Sequence, residues 1–298
     1  SLLNQGKGLR KANIDNYLNY EEISNIGYSM KQFYECYKND EIKETFNFTF
    51  GFFGYLDNIY SIKDLINLKQ INKCKFTKKY SIFKDAYFPV IEYQKSVKNT
   101  LTLKNNMLIT GPNAAGKTTI LKNTLFNLII CQQIGFGFFK SAKINPYKFI
   151  HCYLNIPDTS GRDSLFQAEA RRCKNILDKI ENTKNKENHF CIFDEIYSGT
   201  NPYEATASAY SYLQHLSSKS NVKFMLTTHY IDLCKKLSKE NIKNYHMSTN
   251  FINNKFNYSY LLKDGISEVK GGVEVLKDLG YPKNMINNTN NFLSQKEF

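Results

Sequence analysis

Residues 108–119 constrain the fold more than any other stretch of the chain. They read Leu-Ile-Thr-Gly-Pro-Asn-Ala-Ala-Gly-Lys-Thr-Thr: an apolar run, a loop of small residues, then a lysine and two hydroxyls that open a helical pattern. Gly111 and Gly116 let the backbone turn so that successive N–H groups point into one concavity, and the helix that follows directs its positive end there. In such a loop Lys117 faces the β and γ phosphates of a nucleotide, and Thr118 offers its hydroxyl to Mg²⁺. The stretch therefore predicts a phosphate-binding loop.

Length and charge set broad limits on the rest. With 298 residues the chain has room for one large domain or two smaller ones. It carries 40 Lys and Arg against 27 Asp and Glu, a net charge of +13 and a pI near 9.2. This excess suits a polyanion such as nucleic acid. The charge is scattered rather than gathered into one block, so a lysine-rich solvated surface explains it equally well.

Cysteine usage and hydropathy indicate the cellular setting. The seven cysteines are odd in number and include no C-x-x-C pair, which is typical of reduced thiols in an intracellular protein. No apolar run is long enough to cross a bilayer, and no signal-peptide pattern opens the chain. We therefore expect a nuclear or cytoplasmic protein without a membrane partner.

Strand and helix patterns alternate through the middle of the chain. The predicted strands are residues 107–110, 149–155, 189–193 and 222–227, and the predicted helices are 118–133, 164–180, 202–216 and 231–237. Such alternation predicts an α/β fold with a mainly parallel sheet and helices on both faces. Ligands in such folds bind at the carboxyl ends of the strands.

The flanking segments have other patterns. Residues 1–77 are helical and charged, and their dense aromatics at 46–55 predict packing, with base stacking as the alternative. Residues 73–104 are expected to be a connector. Residues 245–248 and 256–262 predict an antiparallel edge pair, and 271–279 and 282–292 a short helical tail.

Two predicted strands end in residues that would complete a phosphate site. Asp194 and Glu195 follow the apolar run at 191–193, so Asp194 suits the Mg²⁺ shell and Glu195 suits a base that orients and deprotonates water. The strand at 222–227 leads to His229, which places an imidazole at the same sheet edge. His229 is a candidate sensor of the γ phosphate or of the attacking water.

The order of these motifs resembles the ATP-binding-cassette type of P-loop NTPase, in which two nucleotide domains sandwich ATP and each supplies a signature segment to the other. Four sequence segments resemble motifs of the MutS family of DNA mismatch-repair ATPases: TGPNAAGKTT at 110–119, DEIYSGT at 194–200, TTHY at 227–230 and Phe-Pro-Val at 88–90. Details at 158–172 and 198–202 look closest to MutS-like proteins of large DNA viruses, for which a viral factory would be the location.

The resemblance implies a set of site residues. Glu195, His229 and Lys117 would be catalytic, Thr118 and Asp194 would hold the metal, and ATP and Mg²⁺ would be the cofactors. Residues that would bind ATP are Gly111, Pro112, Asn113, Ala114, Ala115, Gly116, Lys117, Thr118 and Thr119.

The signature segment departs from the family pattern. Ser164-Leu-Phe-Gln-Ala-Glu169 matches the S-x-F-x-x-E half, but Gly161 lies one residue too early and Arg162 takes the glycine position. Ser164 is the first choice for the contact with a partner's nucleotide and Ser160 the second.

The same resemblance implies a domain plan and partners. Residues 1–80 would be the helical end of a lever and core region, 81–262 the ATPase domain and 263–298 a C-terminal helical tail. The partners would be mismatched double-stranded DNA, a second copy or a MutS-like heterodimer partner, and possible downstream repair factors. Two alternatives stay open: a cassette-type ATPase in recombination or chromosome structure without mismatch recognition, and a non-hydrolysing, nucleotide-dependent dimerisation module.

Overall fold

The structure is a computed structural model that describes residues 20–154, 164–183, 187–238, 242–252, 255–267, 269 and 272–295. It divides into two compact units, Ser1–Asn67 and Leu68–Phe298. No helix in the described part of the chain is long and apolar enough to span a membrane.

The described part of the first unit is a pair of helices, α1 (Tyr20–Lys38) and α2 (Asp40–Asn67). The Asn39 side chain between them caps α2 by accepting a hydrogen bond from the Glu41 N–H at 3.0 Å. No residue of α2 is buried, so the expectation that the aromatics at 46–55 are packed is wrong for the described unit. The reason is their spacing: Phe46, Phe48 and Phe50 alternate with a period of two, which distributes rings around a helix instead of along one face.

The second unit contains a six-stranded sheet. Its strands are β4 (Asn106–Thr110), β7 (Phe149–Tyr153), β8 (His189–Asp194), β9 (Val222–Thr227), β10 (Ile242–Ile252) and β11 (Lys255–Asp264). They lie in the order β11-β10-β4-β9-β8-β7. Every described pairing among them is parallel except β10 with β11. The α/β class predicted from the sequence is confirmed.

Helices cover both faces of this sheet. These helices are α3 (Lys117–Ile134), α4 (Leu165–Glu181), α5 (Pro202–Ser217) and α6 (Ile231–Leu237). Alternate residues of β8 face two cores: Phe190 and Ile192 belong to the core that includes α3, whereas Cys191 and Phe193 belong to the core that includes α4, α5 and α6. A strand that is apolar on both faces must be covered on both, which is why β8 lies in the interior.

A second sheet shares the core that includes α3. Its strands are β1 (Asn72–Phe76), β2 (Ile82–Ala86), β3 (Asn99–Thr102), β5 (Phe136–Gly137) and β6 (Ser141–Ile144), and they lie in the order β3-β2-β6-β1-β5. The expected connector at 73–104 is therefore wrong, because three strands lie there or overlap its start. These strands are two to five residues long and β1 buries only Cys74, so their hydrophobic alternation is too brief to stand out. Helices α7 (Gly272–Asp278) and α8 (Lys283–Gln295) follow β11 in the sequence.

Candidate functional site

Three neighbouring parallel strands end at one edge of the large sheet. The loop after β4 carries residues 111–116, β8 ends at Asp194, and β9 ends at Thr227, which is the register partner of Asp194. Thr110 anchors the start of the loop, because its hydroxyl donates to the Tyr245 carbonyl at 3.2 Å and accepts from the Ser267 N–H at 2.8 Å. The order β4-β9-β8 therefore brings the three sequence motifs together.

The loop itself presents unpaired donors. Gly116 has φ of 93°, and a Cβ there would lie 3.1 Å from the Tyr260 ring, so only glycine fits without strain. Among the described residues, the N–H groups of Asn113, Ala114 and Gly116 have no hydrogen-bond acceptor. Unpaired N–H groups at the start of a helix form an anion site, so this loop suits phosphate.

Lys117 is the first residue of α3 and its side chain is only 6% exposed. Its Nζ donates to the carbonyl oxygens of Gly111 at 3.1 Å and Pro112 at 3.3 Å, and lies 3.7 Å from Glu195 Oε1. Burial lowers the pKa of Lys117, while the carboxylates of Glu195 and Asp194 act against that shift. The lysine is thus a cation held inside the loop, directed at the acidic strand end.

Thr118 and Asp194 form a pair beside the lysine. The Thr118 hydroxyl donates to Asp194 Oδ2 at 2.9 Å, and the Thr227 hydroxyl donates to Asp194 Oδ1. A hydroxyl and a carboxylate this close suit Mg²⁺, which binds one or two protein carboxylates together with substrate phosphates and waters. No group of three or more His, Cys, Asp or Glu side chains within the described ranges could hold a metal alone. The Thr118 hydroxyl and the Asp194 carboxylate are ligand types that suit Mg²⁺ bound together with phosphate.

Glu195 and His229 complete the cluster. His229 Nε2 lies 3.0 Å from Glu195 Oε1 and 3.0 Å from Lys117 Nζ. The hydrogen bond with His229 is the largest cause that lowers the pKa of Glu195, and Lys117 adds to it. Glu195 has φ of 53°, a left-handed conformation that costs a non-glycine residue about 1–2 kcal/mol. Its N–H donates to the Thr227 carbonyl at 3.1 Å, which continues the strand pairing to the turn.

The candidate signature residues divide between the described and undescribed parts of the chain. Ser164 caps α4: its hydroxyl accepts from the Gln167 N–H, and the Gln167 side chain accepts from the Ser164 N–H. Ser160 and Gly161 lie outside the described residues. A cavity of about 340 Å³ lies next to the start of α4 and is lined by Thr118, Tyr153, Leu165, Glu169, Asp194, Glu195 and Ser198. The beginning of α4 thus borders the acidic residues of its own chain.

Comparison with known proteins shows the family of the chain. The family profile described as MutS domain V matches residues 107–297 of the chain. The chain belongs to the MutS family. It is 31% identical over 222 residues to the DNA mismatch repair protein MutS of Phocaeicola vulgatus, covering 70% of this chain and 25% of that protein. It is 27% identical over 281 residues to the Endonuclease MutS2 of Finegoldia magna, covering 93% of this chain and 34% of that protein.

These matches limit what membership in the MutS family implies. The chain spans about a quarter to a third of the length of the curated relatives it matches. What the whole relatives do therefore does not transfer directly to this chain. The closer likeness to proteins of large DNA viruses stays a prediction.

Sequence reasoning missed Met247 and Tyr260 at the site of this MutS-family chain, and it named Glu169 only as part of the signature match, without a role. The β10–β11 hairpin places Met247 and Tyr260 against the phosphate loop. A Cβ placed on Gly111 would lie 3.4 Å from Met247 Cβ, and a Cβ placed on Gly116 would lie 3.6 Å from Met247 Cε and 3.1 Å from the Tyr260 ring. The Glu169 carboxylate, only 3% exposed, receives hydrogen bonds from the turn after Glu195. The signal available in the sequence was the helical spacing of apolar residues around Glu169, because a carboxylate buried on such a helix face needs hydrogen-bond donors.

Proposed function

We propose that this MutS-family chain binds Mg·ATP and hydrolyses its β–γ bond, as a P-loop NTPase of the ATP-binding-cassette type. One observation carries the proposal. The Lys117 ammonium, the Glu195 carboxylate and the His229 ring come from three separate segments, and the contacts among them measure 3.0, 3.0 and 3.7 Å. A cation, an acid and an imidazole at the mouth of a phosphate loop are the groups that phosphoryl transfer to water needs.

The loop at residues 111–116 would bind the phosphates of the nucleotide. The unpaired N–H groups of Asn113, Ala114 and Gly116 and the start of α3 would receive the β and γ phosphates. Lys117 would exchange its contacts with loop carbonyls for phosphate oxygens, gaining charge-assisted hydrogen bonds. The ring of Tyr260, 43% exposed beside Gly116, supplies a flat apolar surface for the nucleobase.

Thr118 and Asp194 would hold the metal, with Thr227 fixing the Asp194 carboxylate through its hydroxyl. Bound Mg²⁺ supplies positive charge to the phosphate oxygens as negative charge shifts towards the leaving group. The second bond to Asp194 matters because an oriented carboxylate loses less entropy when it binds an ion. The chain contributes one carboxylate and one hydroxyl, and phosphates and waters complete the shell.

Hydrolysis requires a water in line with the β–γ bond. The water oxygen forms a bond to the γ phosphorus, the bond from that phosphorus to the bridging oxygen breaks, and ADP leaves with the bond's electron pair. The water proton passes to Glu195 or to the phosphate. The lowered pKa of Glu195 keeps it ionised at neutral pH, so it can accept a hydrogen bond from the water and orient it. Positioning and electrostatics, rather than strong basicity, would supply most of the rate.

A dimer would complete the site. The Ser164 hydroxyl accepts one hydrogen bond as the cap of α4, so its own hydrogen remains available to a γ phosphate bound by a partner. The start of α4 would then act in trans, as the signature segments of cassette ATPases do. Ser160 and Gly161 remain candidates for the same contact.

Duplex DNA is the proposed regulator. The curated relatives carry the names DNA mismatch repair protein MutS and Endonuclease MutS2, and the net charge of +13 suits a polyanion. Nucleotide state would alter the dimer interface and thereby the grip on mismatched or damaged duplex. Relatives of both names match over most of this chain, so a recombination role without mismatch recognition is the second candidate.

Steady-state hydrolysis, measured alone, with homoduplex and with a mismatched duplex of equal length, separates these possibilities. Mismatch repair predicts a change in rate that is larger with the mismatch. Equal responses to both duplexes favour the recombination role. Nucleotide-dependent dimerisation without phosphate release would contradict the hydrolytic proposal and favour a dimerisation module.

A further inference from the structure

Glu169 is a buried carboxylate that contacts no cation in the described structure. It lies on α4, one turn beyond the helix start, and is 3% exposed. Glu169 Oε1 accepts hydrogen bonds from the Ser198 N–H at 3.1 Å and the Ser198 hydroxyl at 2.8 Å, and Oε2 accepts from the Gly199 N–H at 3.0 Å. A buried charge is tolerated only when several donors compensate for lost water, and here three donors do so.

The segment that Glu169 holds is the turn that begins at Glu195. Both Glu195 and Tyr197 have left-handed φ angles, 53° and 59°, which non-glycine residues adopt only when their surroundings hold them there. Glu169 contacts the two residues that follow Tyr197 immediately. The turn is thus fixed at its start by the pairing of the Glu195 N–H with β9 and at its end by Glu169.

Close packing strengthens the same connection. A Cβ placed on Gly199 would lie 2.7 Å from the Phe166 backbone nitrogen and 2.8 Å from Leu165 Cγ, so the turn touches the first turn of α4 directly. Ser164, the proposed contact to a partner's γ phosphate, caps that same turn of helix. A shift at the start of α4 therefore has a short path, through Glu169 and Gly199, to the turn that carries Glu195.

We infer that Glu169 is a positioning residue for hydrolysis. It fixes the conformation of the turn that begins at Glu195 and couples that turn to the start of α4, where Ser164 lies. The inference rests on the proposed function, because it assigns Glu169 a role in the activity of that site. Glu169 acts through Glu195 and touches no reacting atom. Its predicted effect is on turnover and not on nucleotide binding, since the phosphate loop and Lys117 lie on other segments.

The substitution Glu169→Gln tests this sharply. Both oxygens of Glu169 face donors, so a glutamine must turn its NH₂ towards one of them and lose that hydrogen bond. In the 298-residue chain we expect kcat to fall by about 10–100-fold while the Kd for a fluorescent ATP analogue changes by less than about threefold. Equal losses in kcat and affinity would overturn the inference, because they would indicate general loosening of the fold.

Two further variants serve as controls. Glu204→Gln makes the same charge change nearby, at an exposed residue that accepts a hydrogen bond from the Thr200 hydroxyl, and should leave kcat within about twofold. Ser198→Ala removes one of the three donors to Glu169 and should lower kcat by about three- to tenfold with affinity unchanged.

If Glu169→Gln does not fold, the kcat of Ser198→Ala tests the inference instead. An unchanged kcat in that variant would overturn the inference. Failure of the proposed function has a different result. In that case the unsubstituted chain itself, with Mg²⁺ and DNA present, releases no phosphate.

Discussion

His229 Nε2 lies 3.0 Å from the carboxylate oxygen Oε1 of Glu195. The same nitrogen lies 3.0 Å from Lys117 Nζ, yet one ring nitrogen cannot donate to the carboxylate and accept from the ammonium at once. With a proton on Nε2 the ring pairs with Glu195, and without it the ring pairs with Lys117. In the proposed function, engagement of Lys117 by phosphate would favour the pairing with Glu195, and His229 would sense the γ phosphate in this way.

Replacing His229 by Ala should lower turnover and move its pH dependence. The hydrogen bond from His229 is the largest cause that lowers the pKa of Glu195, so its loss lets that pKa rise towards the usual value. In the proposed mechanism the ionised carboxylate is the active form, so the acid limb of kcat against pH should move to higher pH. At pH 7.5 we expect a loss of about 10–100-fold. The matched variant His215→Ala removes an exposed imidazole and should keep the wild-type profile. An unmoved acid limb in His229→Ala would contradict this coupling.

Replacing Lys117 by Met should weaken nucleotide binding while the fold is retained. The loss of a buried charge removes a desolvation cost, but it also leaves the Gly111 and Pro112 carbonyls without that donor, so the melting temperature should change little. The Kd for an ATP analogue should rise at least about tenfold, because the β and γ phosphates lose their only loop cation. Lys122→Met, further along α3, is the matched control. Wild-type affinity in Lys117→Met would remove this lysine from the proposed site.

Replacing Gly199 by Ala should destabilise the second unit. The new Cβ would lie 2.7 Å from the Phe166 backbone nitrogen and 2.9 Å from Leu165 Cβ, and backbone cannot yield as a flexible side chain does. We expect a loss of about 1–3 kcal/mol in unfolding free energy from denaturant titration. Gly272→Ala, where nothing lies within 4 Å of the added carbon, should change stability by less than about 0.5 kcal/mol. Equal stabilities for the two variants would contradict the packing described here.

Acid should destabilise the fold through His151. Burial lowers its pKa to about 4, and His189, Arg172 and Lys179 add to the shift. The folded chain thus keeps the ring neutral, while the unfolded chain takes up a proton near pH 6.5. Stability should therefore fall between about pH 6.5 and about pH 4, by about 2 kcal/mol after allowance for partial exposure. In His151→Gln this slope should be shallower, whereas His215→Gln should retain it. Urea titrations at pH 7, 6 and 5 measure the slope, and an identical slope in His151→Gln would contradict the assignment.

Sequence patterns were informative where a strand is apolar on both faces and ends in a motif. The strand 222–227 and the helix 231–237 were predicted with the bounds observed. The antiparallel pair at the sheet edge was also predicted, although β10 and β11 extend well beyond 245–248 and 256–262. Long apolar runs identify such strands, and apolar residues at helical spacing identify the helices between them, because each pattern lies within one segment of the sequence.

The second sheet and the hydrogen bonds of Glu169 could not be predicted from such patterns. β1 and β6 pair although four strands and helix α3 lie between them in the chain, and their short lysine-containing runs reveal a buried face only after they pair. Glu169 belongs to a motif in the sequence, but its donors at Ser198 and Gly199 come from a turn 29–30 residues later. Side-chain partners so distant depend on the assembled fold, and periodicity does not report them.

The central claim is that Glu195 acts on water at an ATP site formed by the phosphate loop. The direct test is phosphate release by the wild-type chain and by Glu195→Gln, with Mg·ATP affinity measured on the same samples. Glu195→Gln should keep its affinity within about threefold while its kcat falls at least about 100-fold. Wild-type turnover in Glu195→Gln would contradict it.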